Sequence, residues 1–203
     1  MLRVLLAAAA GVAAGPLLRT CVSVYTRPPA TAVVAATAGG VFALLACRVT
    51  SVPALAAYCW VAALGIVLGF VDATLHRLPD RLTLPAFVGA LALLAADALA
   101  HDRFTALCSA VLSGAAMAAF YAALVLISPA GMGAGDAKLA LSLGTVLGWL
   151  GGVVAFLGAL AGLGLASGYA VILLSSRRIS REDRLAHGPF MLLGALSAIV
   201  VTG

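Results

Sequence analysis

The sequence predicts an all-α, polytopic integral membrane protein with about eight transmembrane helices. Hydrophobic residues make up 64% of the 203 residues and charged residues only 9%, and the mean hydropathy is +1.18. A water-soluble domain with this composition would precipitate. The apolar runs are long and rich in alanine, leucine and glycine, which favours packed helices over the alternating pattern of a β-barrel.

Five apolar runs precede the glycine-rich segment near the middle of the chain. A membrane-crossing helix needs roughly 20 apolar residues, with about 17 to 25 tolerated. The first run also fits a cleavable signal peptide, because an arginine precedes its apolar core and small residues end it. Both interpretations of that run stay open. The five runs are 4–18, 30–47, 52–71, 82–100 and 105–127.

Three further helices are predicted after that segment. Residues 139–174 carry no charge, and at about 1.5 Å per residue the run is too long for one helix and suits two. "GWLGG", 148–152, is the natural break between them. A short, uniformly apolar run at 189–201 completes the set.

The basic residues support eight spans. If the 72–81 connection is cytoplasmic, nine of the twelve arginines and lysines lie inside, as the positive-inside rule requires. A single helix over 139–174 would instead leave five inside and seven outside. We therefore expect one membrane domain over 1–203, with N-terminal helices in 1–50 and a core in 52–201.

Two aspartates stand out in a chain with only seven acidic residues. Asp72 closes a long apolar run and Asp136 opens another, so both are expected at one membrane face. Each alone could be a solvated helix end or an N-cap. Two carboxyl groups in contact share a proton, leaving one as base and one as acid. Such a pair suits peptide hydrolysis, and intramembrane ionisable groups are functional candidates by default.

The segment "GMGAGDAKLA", 131–140, is interpreted as the support for Asp136. Its glycines, Gly131, Gly133 and Gly135, permit close backbone approach and let the aspartate sit at depth. A phosphate-binding loop is the competing interpretation. No GK[ST] follows, and the acid would repel phosphate.

These segments resemble the type IV prepilin peptidases, membrane aspartic proteases with a GxGD motif. The likeness lies in "VDATLHRLPDRLTLP" at 71–85, "GMGAGDAKLA" at 131–140 and "HGPFMLLGALSAIV" at 187–200. It implies that Asp72 and Asp136 are the catalytic pair and that Asp80 is a second, noncatalytic acid. It also implies cytoplasmic cleavage of a short basic leader from pilin-like precursors, usually after a glycine, without a cofactor.

One departure from the larger family members concerns the first connection. Those members carry a cytoplasmic domain with paired CxxC motifs there, which goes with methylation of the new amino terminus. This chain has only "RTCVSVYTRPPA", 19–30, with a lone Cys21. We expect a peptidase without methyl transfer, similar to the compact members that serve Tad-type pili, competence pseudopili or archaeal-type filaments.

Roles for the residues beside the acids follow from their positions. Lys138 either steadies negative charge at Asp136 or snorkels to the interface. Asp80 is expected to cap the next helix, with Pro79 at its entry. Helix-end electrostatics predict an ionised Asp136 and a protonated Asp72.

The remaining polar residues are predicted to lie at the membrane interface or to anchor the topology. His76, His101 and His187 are scattered singly and are predicted to be interfacial, with no metal site. The basic segment 175–184 is predicted to anchor the topology and touch anionic lipid.

Two other functions remain open from the sequence. A presenilin-like intramembrane protease would use the same chemistry on other single-span substrates. A proton-coupled transporter would also carry membrane carboxylates and a broken helix, but near the bilayer midplane. The expected partners are prepilin-like substrates and lipid in the cell membrane, with no nucleic acid.

Overall fold

The computed structural model describes residues 1–128, 132–177 and 185–202, and these are almost entirely α-helical. No strand occurs among them, which confirms the all-α prediction. The helices are α1 (Leu2–Ser23), α2 (Thr31–Arg48), α3 (Val52–Leu75), α4 (Asp80–His101), α5 (Phe104–Ile127), α6 (Ala134–Leu150), α7 (Gly152–Ser175) and α8 (Gly188–Thr202).

Six of these helices are long and apolar enough to cross a membrane, namely α1 to α5 and α7. The other two are shorter, with 17 residues in α6 and 15 in α8. At 1.5 Å per residue they span about 26 Å and about 22 Å, less than the roughly 30 Å hydrocarbon core. The chain is a multi-pass membrane protein, and its described residues form six helices of full spanning length and two shorter ones.

The break predicted inside "GWLGG" is confirmed at Gly151. Helix α6 ends at Leu150 and α7 begins at Gly152, while Gly151 between them has φ 135° and ψ 152°. Only glycine adopts this backbone conformation without strain, since any Cβ would clash. The uncharged run therefore forms two helices.

The helix ends gather at two ends of the bundle. The carboxyl end of α3, the amino ends of α4 and α6, the α1–α2 connection and the residues just before α8 line one cavity. We call this the site end. At the other end, called the opposite end here, the Arg3 guanidinium donates to the Thr50 and Ala46 carbonyls.

Helix α6 is the most enclosed helix of the bundle and packs tightly on α5. A Cβ added to Gly144 would lie 2.8 Å from the Ser113 carbonyl oxygen, and one added to Gly148 would lie 2.4 Å from the Ser113 Cβ. This small-xxx-small spacing lets two helix backbones approach closely in a membrane. The start of α6, which carries Asp136, is therefore fixed by extensive packing further along the helix.

Candidate active site

A cavity of about 440 Å³ at the site end contains both acids singled out from the sequence. Asp72 and Asp136 are buried, with 4% and 6% of their surfaces exposed, and both line this cavity. The structure thus brings together two carboxyl groups that are 64 positions apart in the chain. Other lining residues include Tyr25, His76, Leu78, Asp80, Met132 and His187.

Asp72 lies in the last turn of α3, where its backbone carbonyl accepts the N–H of His76, a left-handed residue that ends the helix. Its Oδ2 accepts a hydrogen bond of 2.9 Å from the N–H of Gly188. Because α8 begins at Gly188, this N–H is one of the groups that a helix leaves unpaired at its start. The Asp72 side chain therefore joins the end of α3 to the start of α8.

Gly188 has no room for a side chain. A Cβ added there would lie 2.9 Å from Asp72 Oδ2. The contact requires glycine, because any larger residue would push the carboxylate aside.

Asp136 lies in the first turn of α6. Its Oδ2 accepts a 2.9 Å hydrogen bond from the N–H of Gly133, the N-cap residue, and its own N–H donates to the Gly133 carbonyl. The carboxylate is thus held on the axis of a helix amino terminus, where the macrodipole favours a negative charge.

The structure does not support the reason for predicting an ionised Asp136 and a protonated Asp72. That prediction assumed that Asp72 lies near a helix carboxyl end and near no helix amino end. In the structure each acid accepts one backbone N–H at a helix amino terminus, from Gly188 for Asp72 and from Gly133 for Asp136. Among the described residues, no lysine or arginine forms an ion pair with either acid.

The glycines of the 131–135 segment differ in role. A Cβ added to Gly135 would lie 2.7 Å from the Leu78 Cβ and 3.0 Å from the Leu78 carbonyl oxygen. Gly135 therefore provides the predicted close approach, to the connection that follows Asp72. Gly133 has ordinary space around it, since the nearest described atom to an added Cβ would be 3.8 Å away, so Gly133 makes no close approach to a neighbouring helix. Gly131 lies outside the described residues.

The structure corrects the roles predicted for Asp80 and Lys138. Asp80 is the first residue of α4, Pro79 occupies the N-cap, and no side-chain cap hydrogen bond forms. The Lys138 ammonium instead binds Asp80 Oδ1 at 2.6 Å, with 40% and 58% of the two side chains exposed. Asp80 is thus an ion-pair partner at the mouth of the cavity, and Lys138 is bound to Asp80 instead of Asp136.

Sequence reasoning missed the environment of His187. It was predicted to be interfacial, yet only 7% of it is exposed and it lines the cavity. Burial lowers the pKa of the imidazole, although the charge of Asp72 opposes this, and this favours the neutral form of His187. The sequence feature that could have indicated this is its position at the start of "HGPFM", directly before the last apolar run.

The ring of Tyr121 packs against the ring of His187. The two rings are 5.6 Å apart, and Tyr121 is fully buried in α5. Neither the Tyr121 hydroxyl nor His187 Nε2 has a hydrogen-bond partner within the described chain. Nothing in the sequence distinguished Tyr121, which lies inside an apolar run.

Two other predictions about polar residues have separate outcomes. In the described part of the chain, no three His, Cys, Asp or Glu side chains converge on a metal-sized site. Most of the basic 175–184 segment, residues 178–184, lies outside the described residues.

Comparison with known protein families gives one match. The profile of the type IV leader peptidase family matches residues 55–201, which is most of the chain. The chain belongs to the type IV leader peptidase family. The match includes Asp72, Asp136 and Gly188, and family membership indicates a peptidase in place of the transporter. No curated protein and no solved structure matches the chain.

Proposed function

We propose that this type IV leader peptidase family member is an aspartic endopeptidase with Asp72 and Asp136 as its catalytic pair. The supporting observation is that two buried carboxyl groups from α3 and α6 line one cavity, and each accepts a hydrogen bond from a backbone N–H. Neither forms an ion pair with a described residue, and burial of an acid without a cationic partner is costly. A pair kept in that state is suited to proton transfer.

The chemistry follows from two acids that share one proton. The ionised carboxylate removes a proton from water, and the oxygen attacks the carbonyl carbon of the scissile peptide. The protonated carboxyl donates its proton to the leaving nitrogen as the C–N bond breaks. The products are a carboxylic acid and an amine, and the two aspartates have exchanged their protonation states. The backbone N–H groups of Gly133 and Gly188 hold both carboxylates in place.

The proposed substrates are prepilin-like precursors, cut between a basic leader and an apolar segment. The proposed location is the cell membrane with the site end in the cytoplasm, because that orientation places nine of the twelve basic residues inside. Methyl transfer is not part of the proposed activity, because the first connection is short. Helix α1 ends at Ser23 and α2 begins at Thr31, so the connection consists of residues 24–30 and contains no cysteine, while Cys21 lies in the last turn of α1.

The test is coexpression with a candidate pilin precursor. Wild-type enzyme should shorten the precursor and expose an unmethylated amino terminus, read by sequencing and mass. Asp72→Asn and Asp136→Asn should each slow cleavage by about 1,000-fold or more, while Asp80→Asn should leave it near wild type. Full-rate processing by either amide variant would reject the pair. Cleavage within the apolar segment would favour the presenilin-like alternative.

Orientation is tested separately by cysteine labelling in a variant without its native cysteines. Arg77 is exposed at the site end, and Asp102 is exposed just beyond the last residue of α4. Two variants carry Arg77→Cys or Asp102→Cys as the single cysteine. A membrane-impermeant maleimide added outside intact cells should label only Asp102→Cys. Labelling of Arg77→Cys from outside would reverse the proposed topology.

A further inference from the structure

A second cavity, of about 370 Å³, forms a groove along one side of the bundle. It lies between α2, α3 and α8, with two α6 residues at its base. Of the described residues that line it, only Thr37 and Tyr58 have polar side chains. We call this the lateral groove, and its walls are formed by residues between Tyr58 and Ala73 of α3 and between Pro189 and Ile199 of α8.

The lateral groove begins beside the catalytic cavity. Phe70 and Ala73 stand on either side of Asp72 in α3, and Pro189 follows Gly188, which binds Asp72. From Ala73 the groove follows α3 to Tyr58, a helical rise of about 22 Å. The same two helices that hold Asp72 therefore also form an apolar surface along much of the membrane thickness.

The two regions differ in what they can accommodate. The mouth of the catalytic cavity has exposed polar side chains, among them His76, Arg77 and Asp80. The lateral groove is apolar, and its wall residue Leu193 is 53% exposed, so it is open along the side of the bundle. A polypeptide cut at Asp72 can thus keep a polar segment at the mouth and an apolar segment in the groove.

A helix fits this surface better than a lipid chain alone does. Ala62, Gly69 and Ala73 lie on one face of α3 at helical spacing, and small residues of this kind permit close approach of helix backbones in membranes. The groove volume admits side chains from one face of a docked helix, while the rest of that helix remains in lipid.

We propose that the lateral groove binds the apolar helix that follows the scissile bond of the precursor. This rests on the proposed function, because it assigns a binding surface to the substrate of that site. An acyl chain and a second copy of this enzyme are the competing occupants. A cavity of about 480 Å³ between α5 and α7 has a similar apolar lining but no residue adjacent to Asp72, Asp136 or Gly188, so it serves as the control surface.

The test compares two substrates that share the residues around the cleavage point. One is a designed precursor with a basic leader ending in glycine and an apolar segment of about 20 residues. The other is a soluble peptide without the apolar segment. The filled-groove enzyme carries Ala62→Trp and Leu193→Trp, and the control enzyme carries Ala159→Trp and Leu160→Trp. The paired sites match closely, because Leu193 and Leu160 are 53% and 55% exposed and both alanines are partly buried.

Filling the lateral groove should raise KM for the full precursor by about 10-fold or more, with little change for the soluble peptide. The control enzyme should have the same KM as wild type for both substrates. An equal loss on both substrates, or no loss on the precursor, would overturn the groove assignment while leaving the peptidase assignment intact. A wild-type enzyme that cut neither substrate would overturn both.

Crosslinking provides a measurement that does not depend on the tryptophan variants folding. A photoreactive residue at position 193 of the inactive Asp136→Asn enzyme should crosslink to the apolar segment of the precursor, and one at position 160 should not. Crosslinks from position 193 only to lipid, or to a second enzyme copy, would overturn the proposal.

Discussion

Buried acids occur at both ends of the bundle, and their surroundings differ sharply. At the opposite end, Asp97 is fully buried in α4. It accepts a hydrogen bond from the Ser51 hydroxyl and lies 3.2 Å from His101 Nδ1 and 3.6 Å from an Arg103 nitrogen. At the site end, Asp72 and Asp136 line one cavity, and each accepts a hydrogen bond from a backbone N–H.

Under the proposed function, the contrast separates a structural from a chemical use of a buried carboxyl group. Asp97 lies beside a hydroxyl, an imidazole and a guanidinium, which link α3, α4 and α5 and offset part of the cost of its burial, while its Oδ2 accepts no hydrogen bond from the described residues. Arg103 also stacks on Trp149, 4.9 Å from the ring centroid, and so extends the link to α6. Among the described residues the two site-end acids form no ion pair, so we expect their protons to remain available for transfer.

The largest effect within this comparison is expected at Gly188. Gly188→Ala would place a methyl group against Asp72 Oδ2, displace the carboxylate, and lower kcat/KM by about 100-fold. Gly164→Ala in α7 is the control, because no atom lies within 4 Å of an added Cβ. Equal activity of the two purified variants would show that Asp72 needs no fixed position.

A smaller but still selective effect is expected at the glycines before Asp136. Gly135→Ala should lower kcat/KM by about 10-fold or more, because its methyl group would push against Leu78 and shift α6 relative to α3. Gly133→Ala should remain within about 3-fold of wild type, since its surroundings are open and its N–H is kept. The reverse order of activities would contradict the packing seen here.

Asp97→Asn should affect stability instead of chemistry. Loss of the negative charge weakens the contacts to His101 and Arg103, so unfolding in detergent should require about 1 to 3 kcal/mol less free energy. Activity per folded molecule should stay near wild type, and the exposed neighbour substitution Asp102→Asn should change neither quantity. If Asp97→Asn abolished cleavage in a fully folded enzyme, the distinction between the two ends would fail.

The smallest effect is expected from the ion pair at the mouth of the cavity. Lys138 and Asp80 are both substantially exposed. A double-mutant cycle with Lys138→Met and Asp80→Asn, measured from the cleavage rates, should therefore give a coupling free energy of at most about 1 kcal/mol. Added salt should reduce it. A much larger coupling in cleavage rate would assign Lys138 to the chemistry after all.

Local sequence patterns were sufficient for the helices and for the two acids. The break at Gly151 was predictable because an uncharged run exceeded the length of one helix. Asp72 and Asp136 were recognisable because acids are rare in this chain and both interrupt long apolar runs. Each of these inferences needs only neighbours in sequence.

The remaining features depend on contacts between distant residues. The bond from Gly188 to Asp72 joins α8 to α3, and the Tyr121–His187 contact joins α5 to the residue before α8. Asp97 was overlooked although it too interrupts an apolar run, because its compensation comes from Ser51 and Arg103 on other elements. Tertiary packing decides which residue pairs with a buried charge. The spacing of residues along the chain does not reveal that packing.

The described part of α8 is shorter than the hydrocarbon core of a bilayer. Residues 188–202 rise about 22 Å against roughly 30 Å, so the depth of α8 in the membrane is expected to change with bilayer thickness. Because α8 begins at Gly188, which binds Asp72, such a shift would move a hydrogen-bond donor of the proposed catalytic pair. We therefore expect reconstitution in lipids with longer acyl chains to slow cleavage progressively, and equal rates in thin and thick bilayers would show that α8 is insulated from lipid.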